Sequence, residues 1–410
     1  MGYETILCRD RLGLANLHRK GDTMARITGT YESSTVAGEA VRAFVPHRLP
    51  PSGPALKVTG ALADHLKTAD TALAGLETSS RMVPSLDWFV YSFVRKEAVI
   101  SSQIEGTQAS LADLLTVEAE APVGALPEDI EEICNYLDAL TYARDQLRRP
   151  KGLPLSTRLL NGAHRRLLAG TRGRNKSPGK LRRSQNWIGG TRPGNARFVP
   201  PPPHRLAGLL TDLEHFLHEK NRLPPLINAG LAHVQFETIH PYLDGNGRVG
   251  RLLIALCLEE WGLLTEPLLY LSHYFKAHRS EYYDRLDDVR KKGDWEGWLS
   301  YFLEGVAYVA EEAVVLIRFL VDLLEQNRGK YLESGQATVV GARLFEHFPR
   351  HPIMTVKSAL RLCETTRPTA AKAIGSLCEA GILEETSGRK RDRIYTYKPY
   401  LKLLQVGTEI

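Results

Sequence analysis

Residues 240–251 read HPYLDGNGRVGR and gather a histidine, a carboxylate, three glycines and two arginines within the 410-residue chain. Gly245 and Gly247 can both take positive φ and turn successive backbone N–H groups toward one point. Apolar residues then recur at helical spacing as far as Trp261, so this turn is predicted to lie at a helix N-terminus, where the helix dipole favours an anion. The stretch therefore predicts a phosphate-binding turn at the start of a helix.

The charged residues of this stretch suit polyphosphate chemistry. Arg248 and Arg251 share one face of the first helical turn and can donate paired hydrogen bonds to phosphate oxygens. Asp244 is a hard oxygen ligand of the kind that Mg²⁺ uses when it bridges phosphates. Because Pro241 disfavours helical geometry at the residue before it, His240 is expected on a loop, where its imidazole could act as a general base.

Two other nucleotide-binding motifs fit this chain less well. The glycines of the stretch match the dinucleotide fingerprint G-x-G-x-x-G, but that fingerprint follows a strand, whereas residues 226–239 have helical periodicity. Residues 170–177, GTRGRNKS, are similar to a P-loop, but Asn175 stands where the second glycine belongs. A solvated loop is therefore the better interpretation of residues 170–177.

HPYLDGNGRVGR resembles the signature of Fic domain proteins, His-Pro-(Phe/Tyr)-x-(Asp/Glu)-Gly-Asn-Gly-Arg-x-x-Arg, with every fixed position filled. It is similar to the adenylyltransferase branch, because the Doc kinase-like relatives carry lysine at the position of Gly247. The resemblance implies transfer of AMP from ATP to a Tyr, Ser or Thr hydroxyl of a protein target, or of the chain itself. It further implies that His240 is the base, that Asp244 holds Mg²⁺ and that Arg251 holds the γ-phosphate. The other nucleotide contacts would come from Gly245, Asn246, Gly247 and Arg248.

A second segment, residues 95–110, reads RKEAVISSQIEGTQAS, and its apolar spacing predicts a helix that ends at Gly106. Taken alone, Glu105 is a carboxylate on the surface of an amphipathic helix. The spacing of Ser101, Glu105 and Gly106 also resembles the inhibitory motif of Fic proteins, in the class that carries this motif N-terminal to its own catalytic core. The resemblance implies that Glu105 pairs with Arg251 and competes with the γ-phosphate for it.

Residues 186–203, NWIGGTRPGNARFVPPPP, place β-branched and aromatic residues on both sides of a Gly/Pro turn and predict a β-hairpin. An ordinary surface hairpin is one interpretation. The Fic resemblance implies a flap, whose exposed edge pairs with the backbone of the target and places the target hydroxyl over the site.

The residues after position 336 are predicted to form a separate domain. Short helical segments precede residues 381–397, which alternate around a basic turn, and the arrangement resembles a winged helix-turn-helix domain. Basic side chains outnumber acidic ones by 12 to 6 between residues 336 and 404, which favours contact with DNA phosphates. The alternative is a surface for dimerisation or for docking protein targets. The candidate DNA-binding residues are Arg367, Lys372, Arg389, Lys390, Arg391 and Arg393.

The chain as a whole is expected to be mainly α, with a multi-helical Fic core, a β-hairpin flap and a C-terminal winged helix. Hydrophobic residues make up 43% of the sequence, enough for sizeable cores. The expected parts are an extended N-terminal arm (1–55), a helical region with the inhibitory helix (56–150), the catalytic core (151–325) and the winged helix (336–410). A polar linker is expected at residues 326–336. Met24 is an alternative start.

Cysteine usage and hydropathy predict a cytoplasmic protein. The five cysteines are odd in number and never form a C-x-x-C pair, which argues against a disulfide framework and a cysteine zinc site. No signal peptide opens the chain, and charged residues interrupt the most apolar helix, residues 306–324, so no membrane contact is expected. A homodimer is compatible with a multi-helical regulatory protein, although no heptad repeat specifies one.

Three functions are consistent with these residues. The first is an autoinhibited protein adenylyltransferase that uses ATP and Mg²⁺. The second is a DNA-binding transcriptional regulator whose Fic-like core senses nucleotide without turnover. The third is a de-AMPylase, in which Glu105 orients a water in the same pocket. Incorporation of labelled AMP separates the first function from the second, whereas the sequence does not separate addition from removal of AMP.

Overall fold

The computed structural model describes residues 26–410, except residues 37, 84, 122–123, 171 and 221–222. Residues 1–25 therefore lie outside the described residues, and with them Cys8, the alternative start Met24 and the first part of the expected N-terminal arm.

Helices make up most of the described chain, which confirms the mainly α prediction. Those before the catalytic motif are α1 (Ala61–Arg81), α2 (Leu86–Ile104), α3 (Leu111–Glu120), α4 (Glu128–Arg148), α5 (Thr157–Leu167), α6 (Leu206–His218) and α7 (Pro225–Ile239). Those that follow its loop are α8 (Asn246–Glu260), α9 (Ser272–Ala277), α10 (Arg279–Lys292) and the long α11 (Trp295–Glu333). Short 3₁₀ turns cover residues 172–175, 193–195 and 203–205. None of the helices described is long and apolar enough to span a bilayer.

Helix α7 lies in the centre of the core, where every residue from Ala229 to Ile239 is buried. A helix that is buried on all sides can only be accommodated inside a protein. Helix α8 packs against α7, and its residues Val249 to Ile254 are buried as well. The loop between these two helices is therefore held at both ends by buried structure, which fixes the position of the motif residues.

A two-stranded antiparallel hairpin precedes the helices, with β1 (Gly29–Val36) paired to β2 (Glu39–Pro46). The sequence predicted only an extended arm here, and the pairing is an addition to that expectation. The hairpin rests on the predicted flap, because the Phe44 N–H donates to the Val199 carbonyl at 2.9 Å. The Glu39 carboxylate also accepts a hydrogen bond from the Gly194 N–H at 2.7 Å.

The predicted flap hairpin is paired at a single position. Ile188 and Phe198 exchange backbone hydrogen bonds of 2.8 and 3.1 Å, and the described residues of the flap form no longer strand. Pro193 in the turn and the prolines from Pro200 onward limit the pairing on the second arm, because proline lacks the N–H that a strand ladder needs. Between the paired residues, the Asn195 side chain accepts from the backbone N–H groups of Thr191 and Arg192 and shapes the turn.

The C-terminal residues form helices and a small antiparallel sheet of strand order β3–β5–β4. The elements are α12 (Val339–Phe345), β3 (Ile353–Thr355), α13 (Val356–Leu362), α14 (Arg367–Glu379), β4 (Glu384–Glu385), β5 (Ile394–Thr396) and α15 (Lys398–Gln405). The expected linker at 326–336 is mostly helical, because α11 continues to Glu333. Its last turn buries Tyr331, whose hydroxyl lies 2.7 Å from the Ser376 hydroxyl of α14.

Helix α2, which carries the predicted inhibitory motif, also contacts the C-terminal part of the chain. Near its start, the Ser92 hydroxyl donates to the Pro349 carbonyl at 3.2 Å, and the rings of Tyr91 and His351 meet edge to face at 5.8 Å. Near its end, the Gln103 side-chain amide donates to the Thr408 carbonyl at 2.9 Å. Helix α2 therefore connects the residues before position 336 with the C-terminal residues through contacts near both of its ends.

Candidate active site

His240 ends helix α7 in a left-handed conformation, with φ of 48°. This conformation is uncommon for a residue other than glycine, and it turns the chain out of the helix toward the next element. Burial is the main cause that lowers the pKa of His240 to about 3, and the neighbouring Arg182 lowers it further. The imidazole is therefore neutral near pH 7, which is the form that can accept a proton from a hydroxyl.

The turn that was predicted to bind an anion lies at the N-terminus of helix α8, and its backbone differs from the expectation at one glycine. Gly245 takes a φ of 75° and caps helix α8, whereas Gly247 lies inside the helix and not at positive φ. The Asn246 side chain is used inside the loop, because it exchanges two hydrogen bonds of 2.9 Å with the backbone of Tyr242. The first N–H groups of a helix have no intrahelical acceptor, so residues 246–248 present donors for an anion.

Arg248 is buried beside this turn and is poised to bind an anion. Only 5% of its side chain is exposed, and its nearest carboxylates, Glu132 and Asp244, lie 3.7 and 3.8 Å away. In the part of the chain that the structure describes, its Nε and Nη1 atoms have no hydrogen-bond partner. Buried donors of this kind are costly unless they are satisfied, so a bound phosphate would complete the site.

The donor set of the site fits Mg²⁺ held mainly by phosphate. Asp244 lies in the motif loop with 45% of its side chain exposed, and it accepts a hydrogen bond of 2.6 Å from the Gly245 N–H. Among the described residues, no group of three or more His, Cys, Asp or Glu side chains could hold a metal ion. One carboxylate together with phosphate oxygens and water is a common set of ligands for Mg²⁺.

Arg251 contacts the predicted inhibitory motif directly. Its Nε donates to the Ser101 hydroxyl at 2.8 Å, and its Nη2 donates to the Ser101 carbonyl and to Glu105 Oε1, both at 2.8 Å. The contact with Arg251 holds the pKa of the Glu105 carboxyl below its usual range, against the opposing effect of burial. Glu105 caps helix α2, and Gly106 follows with φ of 107°. The structure thus brings Glu105 to Arg251, the pairing that the resemblance implies, and adds the contacts of Ser101, which were not predicted.

Gly247 is the residue that allows Glu105 to approach so closely. A Cβ atom at Gly247 would lie 2.3 Å from Glu105 Oε1 and 3.0 Å from Arg251 Nη1. Any larger side chain at this position would therefore displace the carboxylate from the arginine. The glycine that favours adenylylation by resemblance is also the glycine that makes room for the Glu105–Arg251 contact.

Two residues near the site were not singled out from the sequence. Arg182, only 2% exposed, donates from Nε to the His240 carbonyl at 2.9 Å and from Nη2 to the Pro201 carbonyl at 2.5 Å, which ties the flap base to the motif loop. Burial raises the pKa of Glu237 to about 7, and its Oε1 has no partner among the described residues. Neither residue belongs to a local motif, so only the tertiary structure reveals its position.

Comparison with known proteins supports the motif-based interpretation. Residues 63–145 match the model of the Fic/DOC family N-terminal region, and residues 154–258 match the model of the Fic/DOC family. A protein adenylyltransferase Fic from Drosophila grimshawi is 32% identical over 171 residues, 41% of this chain and 32% of that protein. Protein adenylyltransferase fic-1 from Caenorhabditis elegans is 29% identical over 241 residues, 57% of this chain and 42% of that protein. The matches thus span less than half the length of these curated relatives.

A solved structure shares the fold. The crystal structure of a Fic family protein from Desulfovibrio desulfuricans G20 superposes with a TM-score of 0.54 at 21% identity, over 83% of this chain and 97% of that one. At this identity the likeness concerns the fold alone. Residues 63–145 and 154–258, the second of which includes the complete motif at 240–251, thus correspond to the two regions described by the Fic/DOC family models.

Proposed function

We propose that this protein is a protein adenylyltransferase that transfers AMP from ATP to a hydroxyl of a protein target and restrains itself through Glu105. The observation that carries the proposal is the arrangement of the motif, in which His240 ends helix α7 and the loop after it leads into the N-terminus of α8 with the buried guanidinium of Arg248. Both curated relatives described above are named protein adenylyltransferases, which supports the same activity here.

The chain's residues supply two of the requirements of the reaction, a base and charge stabilisation. The N–H groups of residues 246–248 and Arg248 would bind phosphate oxygens, and Arg251 would bind the γ-phosphate. Mg²⁺ held at Asp244 would neutralise phosphate charge. As the target oxygen bonds to the α-phosphorus, His240 takes the hydroxyl proton, and the bond from the α-phosphorus to the bridging oxygen of pyrophosphate breaks.

Autoinhibition follows from the position of Glu105. Its carboxylate occupies the guanidinium that the γ-phosphate needs, so the triphosphate cannot take the pose in which the α-phosphorus faces His240. The restraint ends when Glu105 leaves Arg251. Helix α2 is part of the folded core, so Glu105 and Arg251 are always present in the same molecule.

The flap offers one edge to a target strand. Ile188 uses its backbone groups to pair with Phe198, so the N–H and C=O groups of Trp187 and Gly189 point to the outer side. The other arm of the flap is covered, because Val199 accepts from Phe44 of β2. We therefore place the target backbone against Trp187 and Gly189, an arm that the Asn186 side chain ties to the Tyr242 carbonyl at 3.0 Å.

The test is transfer of labelled AMP in the presence of Mg²⁺. Wild type, Glu105→Gly, and Glu105→Gly combined with His240→Ala are incubated with α-labelled ATP and a cell lysate. We expect Glu105→Gly to label itself or a lysate protein more strongly than wild type, and the double variant to lose this labelling. Glu105→Gly combined with His215→Ala, which removes an exposed histidine on α6, is the matched control. Labelling that survives loss of His240 would refute the proposal.

A second proposed activity, DNA binding, rests on a basic groove in the C-terminal part. Its lining includes the cationic side chains of Lys357, Arg367, Lys390, Arg391 and Arg393, contributed by α13, α14 and the turn between β4 and β5. Lys357 was not among the residues predicted from the sequence. The order of helices and strands suits a winged helix-turn-helix, with α14 and the β4–β5 turn facing the duplex.

Two other predicted DNA-binding residues do not line this groove. Lys372 is exposed on α14, whereas Arg389 forms an ion pair with Glu120 at the end of α3 and is already engaged. Retention of a duplex on a filter, measured against salt concentration, tests this proposal. We expect retention to fall steeply with salt and to weaken when Arg391 and Arg393 are replaced by Gln. Retention that is independent of salt or of these arginines would exclude the groove.

A further inference from the structure

His164 on helix α5 is a fully buried histidine that reaches the motif loop from outside the motif. Its Nδ1 accepts a hydrogen bond from the Gly179 N–H at 2.9 Å, and its Nε2 lies 3.0 Å from the carbonyl oxygen of Asp244. Because Nδ1 must accept, the ring proton resides on Nε2 and donates to Asp244. Both ring nitrogens are therefore engaged, and His164 is available neither as a base nor as a metal ligand.

The ring of His164 also supports the loop through stacking. It lies parallel to the ring of Tyr242, with the two centroids 3.7 Å apart and the planes 8° apart. Tyr242 is buried, and its hydroxyl donates to Asn161 Oδ1 of the same helix at 2.8 Å. Residues 242–244 are thus bound to α5 through a ring stack, a side-chain hydrogen bond and a backbone hydrogen bond.

The Asp244 carboxylate has few other contacts that could set its direction. It accepts from the Gly245 N–H and lies 3.8 Å from Arg248, and almost half of its side chain is exposed. Since the side chain is lightly held, its direction follows from the backbone to which it is attached. That backbone is fixed at the Asp244 carbonyl by His164.

We propose that His164 is a positioning residue for the metal–nucleotide site and that it aims the Asp244 carboxylate by holding the Asp244 carbonyl. This inference rests on the proposed function, because it assumes that Asp244 binds the metal of Mg²⁺·ATP. Groups that orient a metal ligand without touching the metal typically change metal affinity by about 10- to 100-fold when they are replaced. Since His164 acts on the backbone of Asp244, we expect an effect near the lower end, about tenfold.

Two substitutions at His164 separate its hydrogen bonds from its packing. His164→Phe keeps a flat ring against Tyr242 but removes both hydrogen bonds, whereas His164→Gln keeps one donor and one acceptor. Leu160→Ala, at a buried position on the same helix, is the control for general destabilisation. All variants are made in the Glu105→Gly background, in which the Glu105 carboxylate no longer competes with nucleotide for Arg251.

The experiment measures binding of a fluorescent ATP analogue as the Mg²⁺ concentration is varied, together with the melting temperature of each variant. We expect His164→Phe to raise the Mg²⁺ concentration at half-maximal binding about tenfold. His164→Gln should recover part of this loss, and Leu160→Ala should lower the melting temperature without moving the Mg²⁺ midpoint. An unchanged midpoint in His164→Phe, or an equal shift in Leu160→Ala, overturns the positioning role.

This design keeps the two proposals distinct. If the Glu105→Gly parent shows no Mg²⁺-dependent binding of the analogue, the proposed function itself fails. If the parent binds with Mg²⁺ and His164→Phe has the same midpoint, only the role of His164 fails.

Discussion

Breaking the contact between Glu105 and Arg251 should strengthen binding of an ATP analogue about tenfold. A hydrogen bond to a charged group contributes roughly 1.5 to 3 kcal/mol. The Arg251 side chain is 2% exposed, but the Glu105 side chain is 36% exposed, so water screens part of the interaction. We therefore take the lower value, about 1.5 kcal/mol, which corresponds to about a factor of ten in the dissociation constant.

Glu105→Gly and Glu105→Gln both test this value. Glu105 is the C-terminal cap of α2, so a glycine there does not interrupt the helix. Titration calorimetry with Mg²⁺ compares a non-hydrolysable ATP analogue with ADP. Because Arg251 is assigned to the γ-phosphate, the ATP analogue should gain about tenfold with Glu105→Gly, whereas ADP, which lacks that phosphate, should gain little. Glu105→Gln should give a smaller gain because its amide can still accept a hydrogen bond.

Glu325→Gln is the matched control, because it removes the same charge from an exposed position on α11. It should leave both affinities unchanged. An equal gain for ADP and the ATP analogue would contradict the assignment of Arg251 to the γ-phosphate. No gain for either nucleotide would contradict the inhibitory role of Glu105.

Three further predictions concern Gln103 on helix α2, the buried His233 and the basic groove. Gln103→Ala removes the donor to the Thr408 carbonyl, so it should increase AMP incorporation a few-fold in the labelled-ATP assay, less than Glu105→Gly does. Unchanged incorporation would show that this hydrogen bond does not help to hold Glu105 in place. Burial lowers the pKa of His233 to about 3, so below about pH 6.5 the unfolded chain takes up a proton that the folded chain refuses. Stability should therefore fall by up to about 1.4 kcal/mol per pH unit from this group, and urea midpoints at pH 7 and pH 5 should differ less in His233→Gln than in wild type. Arg391→Gln should reduce the slope of log affinity for duplex DNA against log salt by about one, and an unchanged slope would place Arg391 outside the interface.

The segments that hold residues 240–251 and 101–106 could be singled out from the sequence because each pattern is encoded locally. The spacing of Gly245, Arg248 and Arg251 predicted a helix start, and all three lie at the cap or in the first turns of α8, after the loop that begins at His240. The meeting of Glu105 and Arg251 was predicted from a family resemblance, and the structure brings the two side chains to 2.8 Å.

Features that depend on contacts between distant segments could not be predicted. The residues that form β1 and β2 were predicted to be an extended arm. Their pairing is stabilised by the flap, because the Phe44 N–H of β2 donates to the Val199 carbonyl. The end of α11 is polar and looked like a linker, but burial of Tyr331 against Ser376 keeps it helical. His164 carries no motif at all, and its relation to Asp244 appears only when α5 and the motif loop are brought together.

The contacts between helix α2 and the C-terminal residues have a consequence for experiments on shortened chains. A fragment that ends before residue 336 would uncover the sides of Tyr91 and Ser92 and would take away the acceptor of Gln103. Under the proposed function, such a shortened chain would hold Glu105 less firmly against Arg251, and AMP transfer measured with it would exceed that of the intact molecule. Conversely, a ligand that displaces the C-terminal part would act on helix α2, the same helix that places Glu105 against Arg251.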